Sequence, residues 1–470
     1  MIRFFISTLL LLTLISKNVH AQSNDIEFLV KRIKTGYAGY EDRIKGDHKN
    51  FVAFVSRVTK EEKTDTFRIL GRIVAYFDNP HLQVYAVNDL INARIDSQQC
   101  KSKLGEISSL ISNKAINKDK YEGYWINDRK STIVAILKEK KKPGSYKIYF
   151  IASKSSSLVP SGYRIGTIEK VSNDRYITDF LSARGGSRML LRSLFRNDST
   201  FVMGDIATWN KMSNKEAILP ESTISPRQVT TNGRLLDKDN YLLTLPDFTS
   251  PNITVVDSIL KADHNKIKQA KTLILDVRNN PGGTVRSYWP ILPYIVTKPI
   301  VAIAGYKFCS TDLLEHRKEQ LSATRSAPKV DSVVLTELIK DSIKISLNLG
   351  KFVFEPGDTL KFDSAMVYPK NVAIIQNFSV ESAAEMMILD FKQSSKVKTF
   401  GENTMGAVDY LNSFQTQFPS KKYVMSLATF KRYIPPGQNP IDRTGIKPDV
   451  VIPDQQSDWI EFVRNYYEHR

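Results

Sequence analysis

Residues Asn371–Gly406 read NVAIIQNFSVESAAEMMILDFKQSSKVKTFGENTMG, and the fold turns on them. Val372–Ile375 is a continuous apolar run suited to a buried strand. A short loop follows, then a helix beginning around Ser382. Met386, Met387, Ile388 and Leu389 are too densely apolar for an exposed helix. A serine in the first turn of such a helix faces unpaired N–H groups and the positive end of the macrodipole. Negative charge developing beside its hydroxyl is stabilised there, as acyl transfer requires. Serine at that position is also the commonest N-cap, so the segment alone admits both readings.

Working outward, Thr272–Val277 (TLILDV) is a second buried-strand run, ending in Arg278-Asn279-Asn280-Pro281-Gly282-Gly283. Tyr241–Leu245 reads as a strand before it and Val255–Lys268 as a helix between them. Strand, helix, strand and glycine loop, then a helical or irregular Val285–Ile295, define α/β architecture. Open α/β sheets bind ligands beyond the carboxyl ends of their strands. Paired glycines let backbone N–H groups approach a substrate closely. Aimed at a carbonyl oxygen, Gly282 or Gly283 supplies half of an oxyanion hole and the N–H of Ala383 the other half.

The amino-terminal half has two textures. Asp25–Phe77 is mainly helical, with Phe67, Leu70, Val74 and Phe77 at helical spacing and Ile73 beside them. Asp78-Asn79-Pro80 stops the helix, and His81 stands at the corner before the alternating Leu82, Val84 and Tyr85. Asp89–Lys120 reads as a polar helical connector. From Tyr121 to Met203, short β-type runs (Ser131–Leu137, Tyr146–Ile151, Tyr163–Ile168, Thr200–Val202) alternate with turn chemistry such as Lys142-Pro143-Gly144 and Arg184-Gly185-Gly186. This is a small barrel or sandwich, with Lys138–Lys142 decorating a hairpin tip. Ala207–Asn232 is loop-rich and reads as a boundary. Late in the chain, Tyr306–Tyr368 is a polar excursion with short elements of its own. Tyr423–Leu427 and Thr429–Ile434 are β-type runs, and Ser457–Tyr467 closes as a helix.

LILDVRNNPGG (Leu273–Gly283), SAAE (Ser382–Glu385), GENTMG (Gly401–Gly406) and GIKPDV (Gly445–Val450), in this order and spacing, resemble the tail-specific, or C-terminal processing, serine peptidase family, which includes tricorn core peptidases. The resemblance covers about Asn240–Pro453 and the corner at His81. It implies an α/β, ClpP/crotonase-like peptidase core (233–470), behind a helical region (22–120) and a β-rich module (121–232) in the place of a PDZ domain. By resemblance Ser382 is the nucleophile, Gly282 or Gly283 with Ala383 the oxyanion donors, His81 the general base and Asp442 the carboxylate that orients it. One branch of the family activates its serine with a lysine. Ala407 stands where that lysine is expected, which directs the reading to the histidine branch. A neutral imidazole suits the task of base near pH 7, and a carboxylate on its far nitrogen fixes the tautomer. Asp276 and Arg278 brace the loop, Glu385 is structural, and His48, His264, His316 and His469 read as surface residues.

The chain has 470 residues, 41% hydrophobic and 25% charged, a globular composition. Residues 1–21, with Arg3, the apolar Phe4–Ile15 and Val19-His20-Ala21, read as a secretory signal, which predicts a periplasmic or secreted protein. The net charge of +18 suits acidic surfaces or anionic substrates. No nucleic-acid motif accompanies it. Cys100 and Cys309 match no metal or redox spacing. The expected partner is a protein or peptide substrate, with no nucleic acid, no transmembrane segment, no metal and no cofactor. The competing reading, favoured by Ala407, is an inactive peptidase fold that binds peptides or anionic polymers.

Overall fold

The computed structural model describes residues 24–61, 65–86, 97–112, 119–127, 132–153, 157, 159–172, 175–181, 188–203, 207–212, 230–327, 332–361, 366–442, 444–453, 456 and 458–468. The segment 1–21 and the turn Arg184-Gly185-Gly186 lie outside them. Contacts group the chain into two compact units. One holds residues up to 226 with 308–351 and 412–429; the other holds 227–307, 352–411 and 430–470. The sequence reading of three successive regions is therefore corrected twice. The helical region and the β module form one unit, and two stretches of the expected core range join it.

The first unit opens with helices α1 (24–36), α2 (Tyr40–Ile44), α3 (His48–Glu61) and α4 (Thr66–Ala75). Asp65 caps α4 by accepting the N–H of Arg68 at 3.1 Å. Phe67, Ile69, Leu70, Ile73 and Val74 bury one face of α4, as the spacing predicts. At Asp78 the chain turns with φ 49° and enters β1 (Gln83–Ala86). After α5 (Ser97–Ser112) come β2 (Gly123–Asn127), β3 (Thr132–Lys138), β4 (Ser145–Ser153), β5 (Arg164–Ser172), β6 (Arg175–Leu181), β7 (Arg188–Asn197), β8 (Thr200–Met203) and β9 (Ala207–Lys211).

Each of these eight strands pairs antiparallel with the next, and β9 returns to β2 through Trp125↔Lys211. The choice left open by the sequence resolves to a closed barrel, which has no free sheet edge within itself. Its interior is aromatic: Trp125, Phe150, Phe180, Phe195, Phe201 and Trp209 are buried together. Ile107 and Ile111 of α5 cover outward residues Ile133, Ala135 and Leu137. The stretch from Ala207, read as loop, begins with a strand because Trp209 faces the barrel core while its neighbours are polar. The excursion read as short elements carries two long helices, Thr311–Arg325 and Ser332–Leu347. Ser310 caps the first by accepting the N–H of Leu313, and Arg317 reaches across to Asp341 at 2.7 Å. Part of the strand Tyr423–Arg432 adds beside β1, with Gln83 opposite Ser426. Cys100 and Cys309 are buried and are not joined in a disulfide.

The second unit is a sheet of β10 (Asn232–Leu235), β11 (Asn240–Thr244), β12 (Thr272–Asp276), β13 (Asn371–Gln376), β14 (Val397–Gly401) and β15 (Val450–Val451), in that spatial order. All pairs are parallel except β10–β11. Alternate residues serve opposite faces. Leu243, Leu275 and Ile374 pack with α6 (Ser250–Ala262), α7 (His264–Gln269) and α8 (Ala383–Phe391). Leu242, Ile274, Ala373 and Ile375 pack on the other face with α9 (Trp459–Glu468). Both faces are covered, so the strands are continuous apolar runs. This is the α/β class the sequence implies. No helix of the described residues is long and apolar enough to cross a membrane.

Candidate active site

Three adjacent parallel strands, β12, β13 and β14, end side by side, and the loops beyond their carboxyl ends carry the motifs. Ser382 follows β13 at a sharp strand-to-helix corner. The helix α8 begins at Ala383, so Ser382 is its N-cap, with φ 53° and ψ −119°. L side chains rarely adopt that backbone geometry, and holding a non-glycine residue there costs about 1–3 kcal/mol. Packing behind the corner holds it: Ala384, Met387, Ile388 and Phe391 are fully buried, each of the three larger ones contributing roughly 1.5–3 kcal/mol.

The loop after β12 is fitted against this corner. The N–H of Glu381 donates to the carbonyl of Asn280 at 3.0 Å. A Cβ on Gly282 (φ 87°) would lie 2.8 Å from Ala383 N, 2.8 Å from Glu381 O and 2.9 Å from Ser382 Cβ. Glycine is there because nothing larger fits. Gly282→Ala is expected to lower hydrolysis on the order of a hundredfold by displacing the corner, measured as kcat/KM beside a near-native circular dichroism spectrum. Gly282 is corrected as an oxyanion donor, since its own N–H donates to Asn280 Oδ1 at 2.8 Å. The N–H groups of Gly283 and Ala383 have no protein acceptor among the described residues. Asn280, passed over in the sequence, is fully buried and also donates to Leu245 O at 2.9 Å, which fixes the loop.

Behind the serine sits Glu385, fully buried. One carboxylate oxygen accepts the Ser382 N–H at 3.1 Å and the Ala407 N–H at 2.7 Å. The other accepts the Gly406 N–H at 2.9 Å and the Thr404 hydroxyl. Burial pushes its pKa up to about 7, against these four donors. Asp442 takes the next two amides, Val408 and Asp409, at 2.9 and 2.8 Å. Four consecutive N–H groups, 406 to 409, are thus divided between two carboxylates. Ala407 is fully buried with its amide committed, so this backbone leaves the position no lysine-like exposure. Thr404 also accepts the Ile446 N–H at 2.7 Å, and a Cβ on Gly445 would meet Thr404 O at 1.9 Å. The GENTMG and GIKPDV motifs are one interlocked loop pair.

Ser382, Ala383, Gly282, Gly283 and Asp442 are therefore gathered in the second unit. His81 belongs to the first unit. Its N–H donates to Asn79 Oδ1 at 3.0 Å, so the corner predicted from Asp78-Asn79-Pro80 is present. Arg278 forks onto Asp276 at 2.8 and 2.6 Å and lies over Trp459, the bracing role expected of the pair. His316 is not a plain surface residue: its ring stacks on Phe414, and burial lowers its pKa. His264 likewise bonds Tyr294 at 2.7 Å. His469 lies outside the described residues.

Within α8, Asp390 is buried and accepts the Tyr288 hydroxyl at 2.7 Å. Burial pushes its pKa up to about 6. Between the unfolded carboxylate range and pH 6 the native state holds more protons than the unfolded chain. Its contribution to stability is full at low pH and is lost as pH rises through about 6. Asp390→Asn is expected to remove a slope worth on the order of 2–3 kcal/mol, read from urea unfolding at pH 4.5 and 7.5.

Residues 241–452 match the model of Peptidase family S41. A chain with this core is a serine-type peptidase. The matched core is of the tail-specific peptidase kind, a class that acts on protein substrates. No curated protein matches the chain. Among solved structures it is similar to mature CPAF (12% identity, 92% of this chain and 93% of that one, TM-score 0.49). It is also similar to the photosystem II D1 C-terminal processing protease (12%, 94% and 96%, 0.38). A third is the tricorn protease (11%, 95% and 37%, 0.35).

Proposed function

We propose that the protein is an exported endopeptidase that cleaves peptide bonds through an acyl-enzyme at Ser382. The observation that carries this reading is the strained Ser382 corner packed against the loop at Gly282, with the N–H groups of Gly283 and Ala383 taken by no protein acceptor among the described residues. A backbone conformation this costly suits a hydroxyl that must be presented outward.

In the mechanism, His81 accepts the proton of Ser382 Oγ as that oxygen attacks the scissile carbonyl carbon. The oxyanion of the tetrahedral intermediate receives the N–H groups of Gly283 and Ala383, with the positive end of the α8 dipole behind them. Collapse expels the amine, which takes its proton from His81. Water, deprotonated by the same imidazole, then hydrolyses the acyl-enzyme. Asp442 is assigned the role of orienting the imidazole and stabilising the imidazolium. Its rigid anchoring by two backbone amides suits an orienting role.

The test is reaction of the purified mature protein with a fluorophosphonate probe, beside Ser382→Ala and His81→Ala. Wild-type labelling at Ser382, lost in Ser382→Ala and reduced by at least about a thousandfold in rate in His81→Ala, is expected. Labelling that persists in Ser382→Ala removes the nucleophile assignment. His81→Ala with wild-type rate removes the base.

A further inference from the structure

The corner that carries His81 is built onto one strand of the barrel. Arg188, Leu190 and Arg192 of β7 alternate along that strand and so share a face. Together they touch α4 at its start, its middle and just past its end. Arg188 forks between Asp65, the cap of α4, at 2.8 Å and Asp179 of β6 at 2.6 Å. Leu190 fills the space beside Gly71 so completely that a Cβ there would come within 1.7 Å of its methyl carbon. Arg192 pairs with Asp78 at 3.3 Å, and Asp78 lies three residues before His81. On the far side of the corner, Tyr85 of β1 pairs with Met189 of the same strand.

The contact of Leu190 with Gly71 does not fill the whole space between α4, the corner and β7. A cavity of about 50 Å³ remains there, with Val74, Asp78, Pro80 and Arg192 among its walls. Phe77 and Leu82 anchor the two ends of the turn by burial, and the cavity leaves its middle with less apolar support. The Arg192–Asp78 pair spans that gap. Both side chains are largely buried, 17% and 21% exposed, so water screens the pair less than an open surface bridge.

We propose that Arg192 is a positioning residue for the general base, and that the barrel serves the enzyme as the mount of the His81 corner. This rests on the reading of His81 as base. Through Asp78, Arg192 fixes the turn from which the imidazole is presented. Its loss lets the turn settle into the cavity, which misplaces the base while leaving substrate contacts elsewhere untouched. The cost falls on kcat rather than KM.

The experiment compares full-length mature Arg192→Met, Arg192→Lys, Asp78→Asn, the double variant D78N/R192M and His81→Ala. Each is assayed for hydrolysis of dye-quenched unfolded casein and for the rate of fluorophosphonate labelling. Arg192→Met and Asp78→Asn are each expected to lose about tenfold in kcat and in labelling rate with KM within about twofold. The double variant loses no more than either single one, and Arg192→Lys recovers most of the loss. Wild-type kcat in both single variants overturns the proposal. So does a loss that tracks only a lowered unfolding midpoint and that lysine does not repair, which marks a plain brace. His81→Ala with full activity overturns the base reading itself, whatever Arg192 does, so the two failures are told apart.

Discussion

Ser382→Gly is expected to raise the midpoint of thermal unfolding while abolishing hydrolysis. The serine stands at φ 53° and ψ −119°, where a Cβ is unfavourable by about 1–3 kcal/mol. Glycine relieves that strain but brings more freedom to the unfolded chain, which takes back roughly 0.5–1 kcal/mol. The net gain is about 1 kcal/mol, or roughly 2–4 °C for units of this size. Ser382→Ala keeps the Cβ and so gains nothing in stability, yet loses the same activity. Together the two variants separate the strain from the hydroxyl. Activity should fall by at least about a thousandfold in both. A glycine variant that melts lower than the alanine one would mean the corner stores no strain.

Glu385→Ala is expected to cost about 3–5 kcal/mol, because the change strands four donors at once: the amides of Ser382, Gly406 and Ala407 and the hydroxyl of Thr404. Each buried, unpaired donor costs about 1–3 kcal/mol, moderated by whatever water enters the space left behind. Glu385→Gln keeps the shape but turns one oxygen into a donor. Whichever way the amide points, it faces two donors, because each carboxylate oxygen accepts two bonds. Glutamine should therefore recover only part of the loss. Chemical denaturation of both variants checks the order, and fluorophosphonate labelling of the folded fraction checks Ser382. Glu385→Gln unfolding at the wild-type midpoint would show that the clasp carries little of the fold.

Much of the second unit was legible because its information is local. TLILDV and NVAIIQ announce buried parallel strands, Pro-Gly-Gly marks the loop after the first, and Ser-Ala-Ala-Glu marks the helix start after the second. Glu385 was rightly read as structural, but three of its four partners lie some twenty residues away in sequence and on a separate loop, so spacing reveals only the Ser382 amide. Gly282 and Gly283 look equivalent in sequence. Only the Asn280 side chain, folded back onto Gly282 N, distinguishes them. The barrel was half visible. Strands such as Ser145–Ser153 carry strong β-formers. Ala207–Lys211 hides one inward Trp209 among polar residues and carries no alternating signal. The helix Thr311–Arg325 is polar on most of its surface, so periodicity was silent there, although Ser310 marked its start.

The loop pairing of Thr404 with Ile446, and the hold of Asp442 on the amides of 408 and 409, also order events in time. On the ribosome the barrel strands emerge one after another and each meets its neighbour at once, which favours early assembly. The nucleophile corner must wait for a stretch translated long after the serine itself. A nascent chain therefore carries a closed barrel while the rest of the first unit, residues 308–351 and 412–429, is still to come, and the blade stays unfinished until synthesis has passed Ile446.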